Sequence, residues 1–454
     1  VQIIVLIPAV LAAVVAFRRS PQEAFLDVYL PVLLLLPDSY HWIAPGLPDP
    51  TFSQATILPI FAAWLSRPRA PWRFSVCDVA VLAFAVVQGI SEFQNTNYKE
   101  SQNLMFTMFA SVIIPYVLAK GMIEPLAMRV AFARRIAILL FGVSLVSVYE
   151  FRMGATPFTM ILGPFFPGQG GWVTTFRYGL ARIAGPYGHA ILAGVILVVG
   201  YRLQRWLERQ GEWEPTFRHA PWLPVPKARA ITLGIMGGAV MTLCRGPWIG
   251  AVLATGITII GRFRNRRLAA RTVFIGMLVV GVPASIALWS WASVGRAAAK
   301  TVSQETAAYR KELIDKYLDF AIDHAWLGWG KVTWPKLQTM PSIDNYYLLL
   351  ALMHGFVAVG LLLFLFGFQS VRLYRFGMRE PHTGSRGSLA FTFLGIFVAY
   401  AFSILTVYLG EQTVPLLFML FGWCDAYLLF GAAQTASPAA AGPVSRPLFR
   451  RIVV

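Results

Sequence analysis

The stretch SIDNYYLLLALMHGFVAVGLLLFLFGF, residues 342–368, decides the fold. Beyond Asp344 it reaches Phe368 without another carboxylate, lysine or arginine. About 20 apolar residues, at 1.5 Å of helical rise each, cross a hydrocarbon layer of ~30 Å. The stretch therefore reads as a transmembrane helix with a carboxylate at its mouth. Which side of the membrane that mouth faces, and what it meets there, depends on the rest of the chain.

The same pattern recurs along the 454 residues, of which 57% are hydrophobic and 13% charged. Soluble domains carry about 25% charged residues. Apolar segments lie near 1–17, 24–40, 53–66, 74–93, 101–119, 131–149, 186–203, 228–244, 247–262, 272–293, 345–369, 388–409 and 413–431. They lack the short alternating segments of a transmembrane β-barrel. The expected fold is an all-α polytopic membrane protein with about 12–13 transmembrane helices. Residues 1–431 form one transmembrane domain, and 432–454 are expected to be a disordered, basic cytoplasmic tail. The chain opens inside an apolar run without Met or a basic flank, so its true start is expected upstream and no cleaved signal peptide is read there.

Every second connection is rich in Arg and Lys: 67–73, 120–135, 202–229, 262–271, 372–379 and the tail. Cytoplasmic loops collect basic residues, and this alternation accounts for the net charge of +18 without a nucleic-acid partner. Two long segments, 150–185 and 294–344, then fall on the external side. Long loops in compact structures are often functional. Within the second, residues 306–323 have helical periodicity, with Glu312, Lys316, Asp319 and Asp323 on a polar stripe and Arg310 on the apolar face with Leu313, Ile314 and Tyr317. Cys77, Cys244 and Cys424 stand apart and read as buried free thiols.

Topology alone brings four charges to the external side. Arg182 closes the first loop, Arg245 lies in the turn between two apolar runs, Arg310 is on the external helix, and Asp344 opens the helix quoted above. The positive-inside rule does not explain arginines on that face. Each has a structural alternative. Arg182 could anchor at the headgroups, Arg310 could pair with Glu312 or Asp315, and Asp344 could cap its helix. Gly246 and Pro247 are expected to break the helix after Arg245 and turn it toward a protein-lined cavity. Arginine forks bind phosphate oxygens bidentately, and a nearby carboxylate can accept a proton from a hydroxyl. The set suits a lipid-pyrophosphate leaving group displaced by a sugar hydroxyl. The external loops hold no DxD-type carboxylate pair, so no metal is demanded and no cofactor is expected. His189, beside Arg182, is a weaker candidate for positioning the acceptor, or simply a cap.

Three segments, taken in order, resemble a known family. LCRGPWIGAVLA (243–254) is similar to the SRGxWL motif of the O-antigen ligase and O-antigen polymerase superfamily, YRKELIDKYLDFAIDHAWLGWG (309–330) to its YR-to-PLGxG segment, and DNYYLLLALMHGFVAVG (344–360) to its HNxYLxxxxExGxxG helix entry. The resemblance covers about residues 180–365. It implies a GT-C-type, metal-independent glycosyltransferase of the bacterial inner membrane, its active site facing the periplasm. The implied donor is an undecaprenyl-pyrophosphate-linked glycan, and the acceptor a second glycan or lipid A core. By resemblance Arg245 and Arg310 grip the pyrophosphate, Arg182 assists, and residue 344 is the base. Ligases carry His where this chain has Asp344, which favours a polysaccharide polymerase, with a chain-length regulator as a further expected partner. His354 stands at the family's Glu and reads as a packed core histidine. A transporter is the reading from another class. It would need mid-membrane charges and two related halves, and Asp425 alone, in the cytoplasmic half of a span, does not supply them.

Overall fold

The computed structural model describes residues 2–435 apart from 44–45, 70, 171–172, 218–221, 223, 341 and 382–386. The expected tail thus lies outside the described residues, except that the last helix continues to Thr435. The helices are α1 (Ile7–Arg18), α2 (Pro21–Ala24), α3 (Leu30–Leu35), α4 (Phe52–Leu65), α5 (Val76–Asn95) and α6 (Tyr98–Thr107). There follow α7 (Ile114–Met122), α8 (Arg129–Met153), α9 (Pro157–Leu162), α10 (Ala190–Gln210), α11 (Lys227–Met241) and α12 (Arg245–Ile260). The last five are α13 (Arg266–Ala292), α14 (Val302–Asp323), α15 (Tyr346–Arg379), α16 (Leu389–Ser403) and α17 (Thr413–Thr435).

The protein is an all-α polytopic membrane protein, and each of the expected apolar segments contains a helix. Among the described residues, 7 helices are long and apolar enough to cross a membrane. Four shorter apolar helices lie at Gln2–Arg18, Phe52–Leu65, Arg245–Ile260 and Leu389–Ser403. The expected span at 24–40 is instead built of pieces, α2 and α3 joined by a π-helical turn at Phe25–Tyr29. The two long connections carry their own structure. The first holds α9 and a β-hairpin, β1 (Phe176–Arg177) and β2 (Leu180–Ala181). The second holds α14, longer than the periodic stretch that predicted it because Thr301 caps the N–H of Gln304.

Helix α17 forms the centre of the bundle: Leu416 to Phe421 and Trp423 to Ala426 are fully buried, Asp425 included. Asp425 is not isolated. Its carboxylate takes Lys120 at 2.8 Å, Arg372 at 2.5 Å and the Ser75 hydroxyl at 2.7 Å, which balances its charge.

Helices α12 and α16 meet backbone to backbone. A Cβ built on Gly395 would lie 2.8 Å from the Ala254 carbonyl oxygen, and one on Gly250 3.1 Å from that of Ala399. Gly250 and Ala254 are four apart on one helix, as are Gly395 and Ala399 on the other. This is a small-xxx-small contact on both sides. In lipid, apolar side chains gain little by leaving their surroundings, and close backbone packing of small residues is what holds helices together.

Helix α15 breaks at Gly355, whose φ of 77° and ψ of 172° are closed to residues with a Cβ. The break is filled from the second long loop. The N–H groups of Trp329 and Gly330 donate to the carbonyls of Leu352 and Met353 at 2.8 Å, and the Phe356 N–H donates to Ala325 at 2.7 Å. Irregular backbone at membrane depth survives only when protein satisfies it this way. His354 sits inside this joint, its Nδ1 3.2 Å from the Ser91 hydroxyl, as a packed core residue.

Gly395→Leu drives a side chain into the Ala254 backbone, an overpacking cost of roughly 1–3 kcal/mol. Thermal unfolding of the detergent-purified protein should therefore begin several degrees lower, whereas Gly367→Leu, where added atoms meet open space, should leave it unchanged.

Candidate functional site

The site grows from the turn between α11 and α12. Leu243 there takes a left-handed φ of 52°, which turns the chain sharply and presents its carbonyl outward. Arg245 opens α12; Gly246 and Pro247 form its first turn and do not interrupt it, because proline fits the first helical positions where no N–H partner is needed. No side chain caps this helix, and its first turn holds no acidic residue. Its N–H groups and dipole add positive potential to that of the arginine.

Around this turn the structure gathers all three expected arginines. The Arg182 guanidinium donates to the Thr242 carbonyl at 3.3 Å, the Thr175 hydroxyl at 3.2 Å and the Cys244 Sγ at 2.9 Å. Arg245 Nη2 donates to the hydroxyls of Tyr178 and Ser303, each at 2.8 Å. Arg310 donates to the Thr406 carbonyl at 3.3 Å, while its Nε is buried without a hydrogen-bond partner among the described residues. Thr406 also packs directly on Gly246. As expected from the periodicity, Arg310 shares its helix face with the buried Leu313 and Tyr317. It does not pair with Glu312 or Asp315, which hold Lys316 and Lys311 instead.

A fourth arginine, not singled out from the sequence, joins them. Arg177, on β1, donates to the Leu243 carbonyl at 2.5 Å. Its guanidinium is held below the usual range by burial first, and by the charges of Arg182 and Arg245. The hairpin turn places Tyr178 and Gly179 at φ of 57° and 75°, the pattern of a two-residue primed turn. A tyrosine in that conformation is strained, and its hydroxyl is committed to Arg245. The signal lay in FRYG, an arginine beside a glycine turn just before Arg182.

Among the described residues, none of the four arginines forms an ion pair with a carboxylate. Asp344 is the carboxylate set against them. Burial lowers the affinity of Arg310 for its proton, and Asp344 is the largest opposing influence. The helix cap falls one residue later than Asp344: Asn345 accepts the Leu348 N–H at 3.2 Å. Tyr346 N–H is tied to the Ile404 carbonyl at 2.9 Å, which sets where the helix begins. The Asp344 carboxylate is thereby released from capping, and its hydrogen bond is from the Ser342 hydroxyl at 3.3 Å.

His189 caps α10, its Nδ1 accepting the Ile191 N–H at 3.0 Å, and its ring meets Tyr408 edge-on at 6.3 Å between centroids. Burial, then Arg182 and Arg310, push the imidazole down to about 4, so it is neutral at physiological pH. The backbone between Arg182 and His189 is clamped by two carboxylates. Glu150 accepts the N–H groups of Ala184 at 2.9 Å and Gly185 at 2.8 Å, and Glu411 accepts that of Gly188 at 2.5 Å. Glu411 itself has a φ of 49°, and burial pushes its carboxyl up to about 7. Neither clamp was legible in the sequence, since each joins segments far apart along the chain.

A carboxyl whose folded pKa is raised binds its proton more tightly folded than unfolded. Its penalty is absent below the unfolded value, grows as pH rises toward 7, and persists above it. Glu411→Gln keeps the acceptor for Gly188 and removes the charge. It should leave thermal stability at pH 5 near that of the parent and raise it at pH 8, by up to ~3 kcal/mol; equal shifts at both values would dissociate Glu411 from this penalty.

Residues 230–365 match the family model described as O-antigen ligase. The matched segment includes Arg245, Arg310 and Asp344 and lies outside the hairpin, Arg182 and His189. No curated protein matches the chain. The match supports a membrane glycosyltransferase-like function in O-antigen or polysaccharide assembly. With the all-α architecture and its apolar spans, it supports the chain's place in the O-antigen ligase and polymerase superfamily.

Proposed function

We propose that this protein polymerises undecaprenyl-pyrophosphate-linked oligosaccharide repeat units on the periplasmic face of the bacterial inner membrane. The observation that carries the reading is the set of arginines without carboxylate partners among the described residues, beside a carboxylate released from its helix cap. Like charges gathered without counter-charges are costly, and a polyanion is what repays the cost. A diphosphate offers several oxygens to several forks, and its negative charge grows as it departs.

In this mechanism Arg245, Arg310 and Arg182 hold the donor's pyrophosphate. The Asp344 carboxylate takes the proton from an acceptor sugar hydroxyl. The hydroxyl oxygen forms a bond to the anomeric carbon as the bond from that carbon to the phosphate oxygen breaks. Undecaprenyl pyrophosphate leaves with the electron pair, and the anomeric centre inverts. His189, neutral, would orient the acceptor. The family description keeps a second reading in view, a ligase that delivers the glycan to lipid A core or to protein. The Asp at 344, where ligases of the resembling family carry His, favours polymerisation.

Purified protein in liposomes, given lipid-linked repeat units, should yield a ladder of growing lipid-linked chains with no core acceptor. Asp344→Ala should slow that ladder by ~10²–10⁴-fold, and Arg245→Ala should abolish it with helical content unchanged. A single-step product that forms only with lipid A core would favour the ligase. No transfer in either case would overturn both glycosyltransferase readings.

A further inference from the structure

A cavity of about 740 Å³ lies at the far end of the bundle from the arginine site. The direction of α17 sets this separation: it begins beside Glu411, which holds Gly188, and ends where the Leu429 carbonyl accepts Arg73 at 3.1 Å. The walls are the C-terminal parts of α4, α7 and α17, the start of α5 and, from the connection between α4 and α5, residues 67–69 and 71–74. Phe61, Trp64, Trp72, Val117 and Leu82 make them apolar. The volume falls in the range of small-molecule and lipid pockets, ~300–1,000 Å³. Leu82 and Phe74, which also line it, are exposed on the outer surface of α5 and just before it, so the chamber opens toward the bilayer.

The charges divide into two groups. At the floor, buried Lys120 is 2.6 Å from Asp78 and 2.8 Å from Asp425, and Arg372 completes the balance of two cations against two carboxylates. Lys120 also lies under the Trp72 ring at 4.8 Å. The floor is charge-neutral and offers nothing to an anion. At the rim, Arg67 is spent on the carbonyls of Ala16, Phe17 and Arg19 at the end of α1. Arg73 gives only its Nη1 to a carbonyl, that of Leu429, and among the described residues no carbonyl takes Arg69. Arg69 lies 4.9 Å over the Trp64 ring and Arg73 4.6 Å over Phe430. Neither has a carboxylate partner among the described residues.

We propose that this chamber binds one anionic phospholipid, its phosphate between Arg69 and Arg73 and one acyl chain among Phe61, Trp64, Leu82 and Val117. A guanidinium held over an aromatic ring keeps its charge and N–H donors available to phosphate oxygens. The basic connections of such a protein face the leaflet that holds its anionic lipids. Solvated arginines serving only to set topology would need neither the stacking rings nor the apolar chamber beside them.

The test is native mass spectrometry of the full chain in a non-ionic detergent, titrated with phosphatidylglycerol and with phosphatidylcholine of the same acyl chains. Phosphatidylglycerol should bind more tightly, and the Arg69→Ala/Arg73→Ala protein should lose ~10–30-fold of that affinity while its phosphatidylcholine binding stays as it was. Both arginines are on the surface, so the fold should survive the change. Leu82→Trp, which fills the chamber and leaves the rim intact, should weaken long-chain phosphatidylglycerol. Equal affinity for the two lipids, or undiminished phosphatidylglycerol binding in the arginine variant, would overturn the proposal. So would unchanged binding in Leu82→Trp, or displacement of the lipid by inorganic phosphate alone, since either would remove the acyl chain from the chamber.

Discussion

Everything at the candidate site depends on how closely α12 and α16 approach. Arg245 is the first residue of α12, and Thr406, the carbonyl partner of Arg310, lies just beyond Ser403, the last residue of α16. The glycine–alanine contact between the two helices sets the distance between those termini. A bulkier interface would move Thr406 off Gly246 and carry Arg310 away from the turn. Position at the membrane surface is therefore decided by packing at membrane depth, where backbones touch without intervening side chains.

The site is held in an unfavourable electrostatic state, and the surrounding backbone pays for it. The charges of Arg182 and Arg245 oppose those of Arg177 and of the buried Arg310. Carbonyls of Thr242, Leu243 and Thr406 offset part of this, and a left-handed Leu243 is needed to aim one of them. Tyr178 and Glu411 adopt similarly uncommon conformations where they grip Arg245 and Gly188. Uncommon backbone clustered around like charges is the arrangement that the proposed binding of an anion would require to be set in advance.

Hydropathy made the helices readable, because a run of apolar residues has only one stable conformation in lipid. It also placed Arg182, Arg245, Arg310 and Asp344 on one face, and the structure brings their segments together around the 242–246 turn. What could not be read was local competition and distant pairing. Asp344 and Asn345 are both good helix caps, and the choice between them follows from the Tyr346 bond to Ile404, some 60 residues on. Asp425 looked isolated because Lys120 and Arg372, its partners, come from other helices. Arg177 escaped notice because its role depends on a hairpin only four residues long in its strands. The span at 24–40 was legible as apolar, but its π-helical turn was not.

The break at Gly355 bears on how the chain is built into the bilayer. Leu352, Met353 and Phe356 owe their hydrogen bonds to residues 325–330, which belong to the preceding loop. Helix α15 cannot enter the membrane in its final form and wait for that loop to arrive. The loop must be in place before α15 takes its final form, and the helix closes around it. The half-helix that bears Asp344 at its mouth thus becomes native only once the segment carrying Arg310 is in place. The chain cannot assemble one half of this candidate site without the other.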